Sequence, residues 1–201
     1  MVLVDIGNTH FHIIKNDEIK HLREIVKFDD EVYYISVNEE KEKQLRKLNP
    51  GAFNLKDYVK FNTSYKGLGI DRIMACKSIN NGVVVDAGSA ITIDIMEDDV
   101  HLGGIIMPGI NAFKEAYGKI SKVLNLNPGE FEFLPNNTAD ALNAGSIGAI
   151  VCMIEKVRGK KKVYLTGGDG QFLLKFIKNA EFIEDLVFRG MKKTLKEMER
   201  L

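Results

Sequence analysis

Apolar and polar positions alternate along this chain in two readable rhythms. Period-two stretches rich in β-branched residues mark strands at 2–7 (VLVDIG), 10–15 (HFHIIK), within 19–26 (IKHLREIV), at 32–37 (VYYISV), and in a short piece near 58–63. Helical spacing at i, i+3 and i+4 marks a charged helix at 38–48 and another from Asp71. The second half repeats the order. Strands are predicted at 82–88 (GVVVDAG), 90–96 (AITIDIM) and 101–107 (HLGGIIM), then helices around 111–120 and 138–157. A buried strand at 161–167, a helix at 170–178, a strand at 180–185 and an amphipathic helix at 187–201 complete the chain. Each half opens with three consecutive strands and continues with alternating helices and strands, the pattern of an α/β unit. The turn-forming triplet Asn80–Asn81–Gly82 is the expected boundary, giving domains at 1–80 and 81–201.

The halves share more than element order. Sliding the opening stretch so that Val2 falls on Val83 also places Val4, Asp5, Gly7 and Ile14 on Val85, Asp86, Gly88 and Ile95. In both copies an apolar strand ends in Asp-x-Gly followed by small or polar residues, and the chain turns straight into another strand. A strand that only fills a core gains nothing from an acid there. Glycine lets a backbone approach a ligand closely, and converging amides at such a bend form an anion nest. The carboxylate would repel a phosphate directly, but it suits a hydrated Mg²⁺ bridging to phosphate oxygens. Asp5 with Gly7, Asn8 and Thr9 therefore reads as a phosphate-and-metal turn, or, taken alone, as a tight hairpin with ordinary Asp-Gly-Asn chemistry. Two copies favour the first reading: a pair of phosphate turns facing across a nucleotide cleft.

Composition narrows the field without deciding it. The 201 residues suffice for a sizeable core, and 28 basic side chains balance 28 acidic ones, so no global field draws the protein to nucleic acid or a membrane. The run 159–162 (GKKK) reads as a solvated loop before a strand. Cys76 and Cys152 are far apart with no C-x-x-C, which suggests neither a disulfide framework nor a zinc site and leaves a reducing cytoplasm as the expected setting. No apolar run approaches the ~20 residues of a membrane span, and the N-terminus lacks the pattern of a signal peptide.

Six segments in order, DIGNT at 5–9, GLGIDR at 67–72, VVVDAGSAIT at 83–92, GGIIMPG at 103–109, NTADALNAG at 137–145 and TGG at 166–168, resemble type III pantothenate kinase. That family lies in the superfamily of actin, the heat-shock chaperone ATPases and the sugar and acetate kinases. The resemblance implies two similar actin-like (ribonuclease H-like) domains, each a mixed sheet with three leading antiparallel strands and flanking helices. It also implies transfer of the ATP γ-phosphoryl group to pantothenate, the first step of coenzyme A synthesis. On this resemblance Asp71 is the general base, Arg72 contacts substrate or developing charge, and Gly67 and Gly69 shape the substrate segment. Gly88, Ser89, Gly167 and Gly168 join the first turn in holding the nucleotide. Asp86 helps hold a monovalent cation (K⁺ or NH₄⁺), and the protein is a homodimer in which Thr138 reaches a pantothenate bound mainly to the other subunit. Ser89 stands where threonine is common and keeps the hydroxyl, the stretch 15–57 is shorter than in many relatives, and Asp169 follows the TGG segment.

The residues allow their own account beside the resemblance. A carboxylate next to an arginine on a Gly-rich segment can accept a hydroxyl proton while the guanidinium offsets negative charge. Asp71 is also suited to cap the helix that follows, a role that can coexist with catalysis, and Arg72 to pair with a neighbouring acid. Tyr65 is placed to line the pantothenate pocket or to serve as a loop aromatic. His10 and His12 share one strand face and could ligate a metal, but no third ligand is evident, so packing or exposure is the simpler expectation. A catalytically idle regulatory protein, or another kinase or phosphatase on the same fold, would keep the phosphate turns; the acid in G-x-D-R favours catalysis.

Overall fold

The computed structural model describes residues 1–199, so the last two residues of the helix predicted at 187–201 lie outside it. The chain divides into two compact units: Met1–Asn80 with Asp99–His101 and the chain from Asp185 onward, and Asn81–Asp98 with Leu102–Glu184. The sequence order assigns 81–201 to the second half; the C-terminal helix and the start of one strand nonetheless pack with the first.

In unit 1, β1 (Val2–Ile6) is buried almost throughout, as expected of a strand covered on both faces. It pairs antiparallel with β2 (Phe11–Lys15) and parallel with β4 (Val32–Ser36). β3 (Glu18–Leu22) and the two-residue β5 (Phe53–Asn54) complete the order β3-β2-β1-β4-β5. The β2–β3 hairpin turns on Asn16 and Asp17, at φ 51° and 61°, the left-handed pair that a two-residue turn of this hand requires. α1 (Glu39–Leu48) is the predicted charged helix: Asn38 caps it by accepting from Lys41 N at 3.0 Å, acids fill its first turn and bases its last, and only Leu45 is fully buried. One face of the sheet forms a core of Val2, Val4, Ile6, Phe11, Ile13, Val32, Tyr34 and Leu45. α2 (Ile70–Lys77) packs against α7 (Leu186–Met198), where Gly190 lets the helices close until a β-carbon there would overlap the Met74 carbonyl. Beside this crossing the buried Lys77 ammonium meets Glu197 at 2.8 Å and the Lys60 carbonyl at 2.9 Å, so its charge is paired. β6 (Asn62–Thr63) runs parallel to Val100–His101.

Unit 2 repeats the topology. β7 (Gly82–Ala87) pairs antiparallel with β8 (Ala90–Glu97) and parallel with β10 (Val163–Thr166), with β9 (Val100–Pro108) beyond β8 and β11 (Ala180–Phe182) beyond β10. Its core joins Val83, Val85, Ile91, Ile93, Ile147, Ile150, Ile154, Val163 and Leu165. α3 (Ile110–Ile120) follows Gly109. The long helix predicted at 138–157 is α4 (Thr138–Asn143), a π-helical turn (Ala144–Gly148) and α5 (Ala149–Arg158) in direct succession. There Gly148 lies against the Phe131 ring, which stands 3.0 Å from where a β-carbon would be, and the Ser146 hydroxyl donates to the Leu142 carbonyl at 2.6 Å. α6 (Gly170–Leu173) is shorter than the helix predicted at 170–178 because it passes into a 3₁₀ turn at Leu174–Phe176.

Candidate active site

In unit 1 the turn at 5–9 leaves the C-terminal end of β1. Gly7 N–H donates to the His10 carbonyl at 3.1 Å and closes the bend, while Asn8 and Thr9 stand exposed at its tip. Asp5 is half-buried and stands opposite His12 on β2, which stands opposite His21 on β3. His12 and His21 meet Nδ1 to Nδ1 at 2.6 Å. Burial, with His21, His10 and Lys41 nearby, pulls the His12 imidazole down to about 4, so the ring is neutral at pH 7. Lys41 Nζ, at the start of α1, lies 5.0 Å from the Phe11 ring centroid, and burial lowers its pKa. The hairpin register carries the His12–His21 pair, and the Asn16–Asp17 turn is the signal in the sequence that fixes it.

The G-x-D-R segment of the same unit enters α2. Gly67 is left-handed (φ 76°) and Gly69, not Asp71, is the N-cap. Asp71 lies in the first helical turn, where its Oδ1 accepts from the Arg72 N–H at 2.8 Å. This corrects the expectation of Asp71 as the capping residue: the cap lies two residues earlier because Gly69 supplies its extended conformation. A β-carbon on Gly69 would sit 2.5 Å from Asp71 Oδ1, so the glycine makes room for the carboxylate. Arg72 is buried, and its guanidinium lies 5.1 Å from the Tyr65 ring centroid. The structure thus brings Tyr65, Gly69, Asp71 and Arg72 together. His101, unremarkable in sequence, is buried against Phe61 and Tyr65 and shares a 2.8 Å hydrogen bond with the Thr63 hydroxyl, which also accepts from Tyr65 N–H at 3.0 Å.

Unit 2 carries the second turn. A β-carbon on the left-handed Gly167 (φ 82°) would lie 2.5 Å from Asp86 Oδ1 and 2.6 Å from the Ala87 carbonyl. Gly109 approaches the Gly88 and Ser89 carbonyls as closely and donates its N–H to Ser89 at 3.2 Å. Asp169 N–H donates to the Ala87 carbonyl at 2.9 Å, and burial raises the Asp169 carboxyl above its usual range. Asp86, Gly88, Ser89, Gly167 and Gly168 therefore gather around one oxygen-rich bend. Thr138 is exposed at the start of α4, where Asn137 caps by accepting from Asp140 N–H at 2.9 Å. Among the described residues no helix is long and apolar enough to cross a membrane.

A sequence model of type III pantothenate kinase matches residues 19–160. A type III pantothenate kinase from Wolinella succinogenes is 48% identical, over 99% of this chain and 98% of its own length. The chain belongs to the type III pantothenate kinase family. That relative is matched over nearly its full length, so the two chains are of similar length. A solved structure from Campylobacter jejuni, assigned to the Baf family of transcriptional activators, is 42% identical with a TM-score of 0.87 over 100% of both chains. A Sinorhizobium meliloti structure named as a 2-dehydro-3-deoxygalactonokinase, 11% identical with a TM-score of 0.53 over 100% of this chain and 99% of its own, shares the fold alone. The kinase has the two-domain actin-like α/β fold, and ATP is its co-substrate.

Proposed function

We propose that this kinase transfers the γ-phosphoryl group of ATP to the primary hydroxyl of pantothenate, with Asp71 as general base. The observation that carries the reading is the G-x-D-R segment, folded so that a carboxylate is held at the start of α2 beside a buried arginine. Asp71 accepts the hydroxyl proton, the freed oxygen forms its bond to the γ-phosphorus, and the bond to the ADP oxygen breaks. The proton then passes from Asp71 to solvent. Arg72 offsets the negative charge that develops, and Tyr65, Gly67 and Gly69 shape the alcohol's side of the site.

The first turn takes ATP phosphates on its amides and on the Thr9 hydroxyl, and Asp5 offers the single hard carboxylate that Mg²⁺ accepts alongside waters and phosphate oxygens. Bound there, Mg²⁺ would neutralise phosphate charge. The second turn, with Gly88, Ser89, Gly167 and Gly168, takes phosphates as well. Its crowded oxygens, the Asp86 carboxylate and the Ala87 carbonyl among them, fit a monovalent cation such as K⁺ or NH₄⁺, because Gly167 leaves open the space a side chain would fill. We further read the kinase as a homodimer with Thr138 serving the partner's pantothenate site. In support, unit 2 exposes Ile120, Val123, Phe133 and Leu134 by 72% or more, an apolar surface that a second copy would cover.

A coupled ADP-release assay with pantothenate, simple sugars and acetate as acceptors tests the reading. Turnover confined to pantothenate is expected. Turnover with a sugar or acetate instead would overturn the substrate assignment, and no turnover with any acceptor would favour a regulatory role like that ascribed to the Campylobacter protein. Sedimentation showing only monomer at micromolar protein would remove the dimer and the role of Thr138.

A further inference from the structure

We propose that His12 is a nucleotide-binding residue, donating its Nε2–H to a phosphate oxygen of ATP, and that His21 is the positioning residue that fixes the required tautomer. The proposal rests on the reading that the turn at 5–9 holds ATP phosphates.

The left-handed Asn16–Asp17 turn sets the β2–β3 register, and with it a lateral row of Asp5, His12 and His21 on three neighbouring strands. Directly opposed residues on adjacent strands present their side chains to the same sheet face. Two imidazole nitrogens 2.6 Å apart hold one proton between them: one donates and the other accepts. A neutral imidazole has a single N–H, so if His12 Nδ1 accepts, its own proton is on Nε2. That nitrogen is the one turned towards the phosphate turn, 3.7 Å from where a side chain on Gly7 would begin. Gly7 has none, so the space beside the ring stays open to a ligand.

Phosphate oxygens only accept hydrogen bonds. A phosphate on this turn therefore selects the Nε2–H form of His12, and His21 completes the chain by donating from its own Nδ1. A neutral donor is suited to the position beside Asp5, since it binds phosphate without setting a second positive charge next to a metal-binding carboxylate. His10 lies on the same face, with its ring centroid 6.3 Å from that of His12, and takes no part in the shared proton.

Calorimetry on the full-length kinase with Mg²⁺ and adenylyl imidodiphosphate, with adenosine as the phosphate-free control, tests the assignment. The amide nitrogen of His12→Gln reaches the place of Nε2, whereas His12→Asn reaches only that of Nδ1. Affinity for the analogue should fall about tenfold or more in His12→Asn and His12→Val, the loss of one hydrogen bond to a charged group, and by less than about threefold in His12→Gln. His21→Ala should lose affinity and His21→Asn, which keeps a donor, should recover it. Adenosine affinity should stay constant throughout. Wild-type affinity for the analogue in His12→Asn, or an equal loss for adenosine, would overturn the proposal. If variants fold poorly, ¹⁵N spectra of the wild type decide: Nε2–H at His12 in the analogue complex is expected, and Nδ1–H overturns it. None of these readouts uses pantothenate, so a failed acceptor assay would sink the substrate assignment alone. A wild type that binds the analogue no tighter than adenosine would overturn both the phosphate turn and His12.

Discussion

Replacing Asp71 with asparagine separates catalysis from architecture. The carboxylate does two structural things: it accepts the Arg72 N–H at 2.8 Å, and it places a negative charge in the first turn of α2. Asparagine keeps the acceptor and loses the charge. The helix-terminus interaction is worth about 0.3–1 kcal/mol, and the loss of charge assistance on one hydrogen bond about as much again. Asp71→Asn should thus destabilise the fold by roughly 1–2 kcal/mol at most, a small change in melting temperature for a chain of this size. Its effect on rate should be of another order. An amide cannot take the hydroxyl proton, and a positioned acid–base group contributes about 10²–10⁴-fold to turnover. The assay is ADP release at saturating ATP and pantothenate, run beside thermal melts and nucleotide binding. Turnover should collapse while the melt and ATP affinity hold. A variant with near-wild-type turnover would refute the base assignment and leave Asp71 as a first-turn hydrogen-bond acceptor.

Three further outcomes follow from the packing and the charges. Gly190→Ala sets a β-carbon into the Met74 carbonyl, so the overlap of two helix backbones should outweigh the ~1 kcal/mol gained in helix propensity and leave a net loss of about 1–3 kcal/mol in denaturant titration; an unchanged midpoint would mean that the α2–α7 crossing adjusts freely. Gly167→Ala places a methyl group against Asp86 and strains a left-handed position, so activity and its dependence on K⁺ should fall together; equal turnover of the wild type in Na⁺ and K⁺ would remove the cation from Asp86. Tyr34, buried and donating to Glu42 at 2.6 Å, is pushed up to about 12 by burial first and that hydrogen bond second. Its folded pKa exceeds its unfolded value near 10, so its contribution is complete below pH 10 and is lost as pH rises towards 12. Tyr34→Phe should flatten alkaline unfolding in that window, and a tyrosinate absorbance step at pH 10 assigned to Tyr34 would contradict this.

Much of the fold was legible because its strands are uniform: VLVDIG and GVVVDAG are short, rich in β-branched residues and bounded by glycine, which favours strands, and each ends in an acid that a core strand does not need. The resemblance carried the G-x-D-R residues, and the structure sets Tyr65, Asp71 and Arg72 side by side in unit 1. Other features lay beyond periodicity. The first-turn position of Asp71 depends on Gly69 adopting the extended cap conformation, which either residue could have done in sequence. The π-helical turn at Ala144–Gly148 sets the buried Leu142 and Ile147 five residues apart, a one-residue slip from helical spacing that the small residues between them conceal. The packing of α7 in unit 1 depends on one missing β-carbon at Gly190, a long-range fit that no local window contains. His12 stood out in the sequence and His21 did not; their pairing needed the hairpin register, which Asn16–Asp17 does encode.

The way the chain is shared between its units has a consequence for how it is made. Unit 2 is complete once residue 184 has emerged from a ribosome, whereas unit 1, begun first, lacks α7 until after unit 2 has been made. The nascent N-terminal sheet therefore waits with the α2 face around Met74 and Lys77 uncovered, and the later-made unit is the first that can close. The usual vectorial order, N-terminal domain first, is inverted. Cutting the gene at residue 80 would not yield an autonomous N-terminal fragment, because it would lack both α7 and the Asp99–His101 segment that pairs with β6.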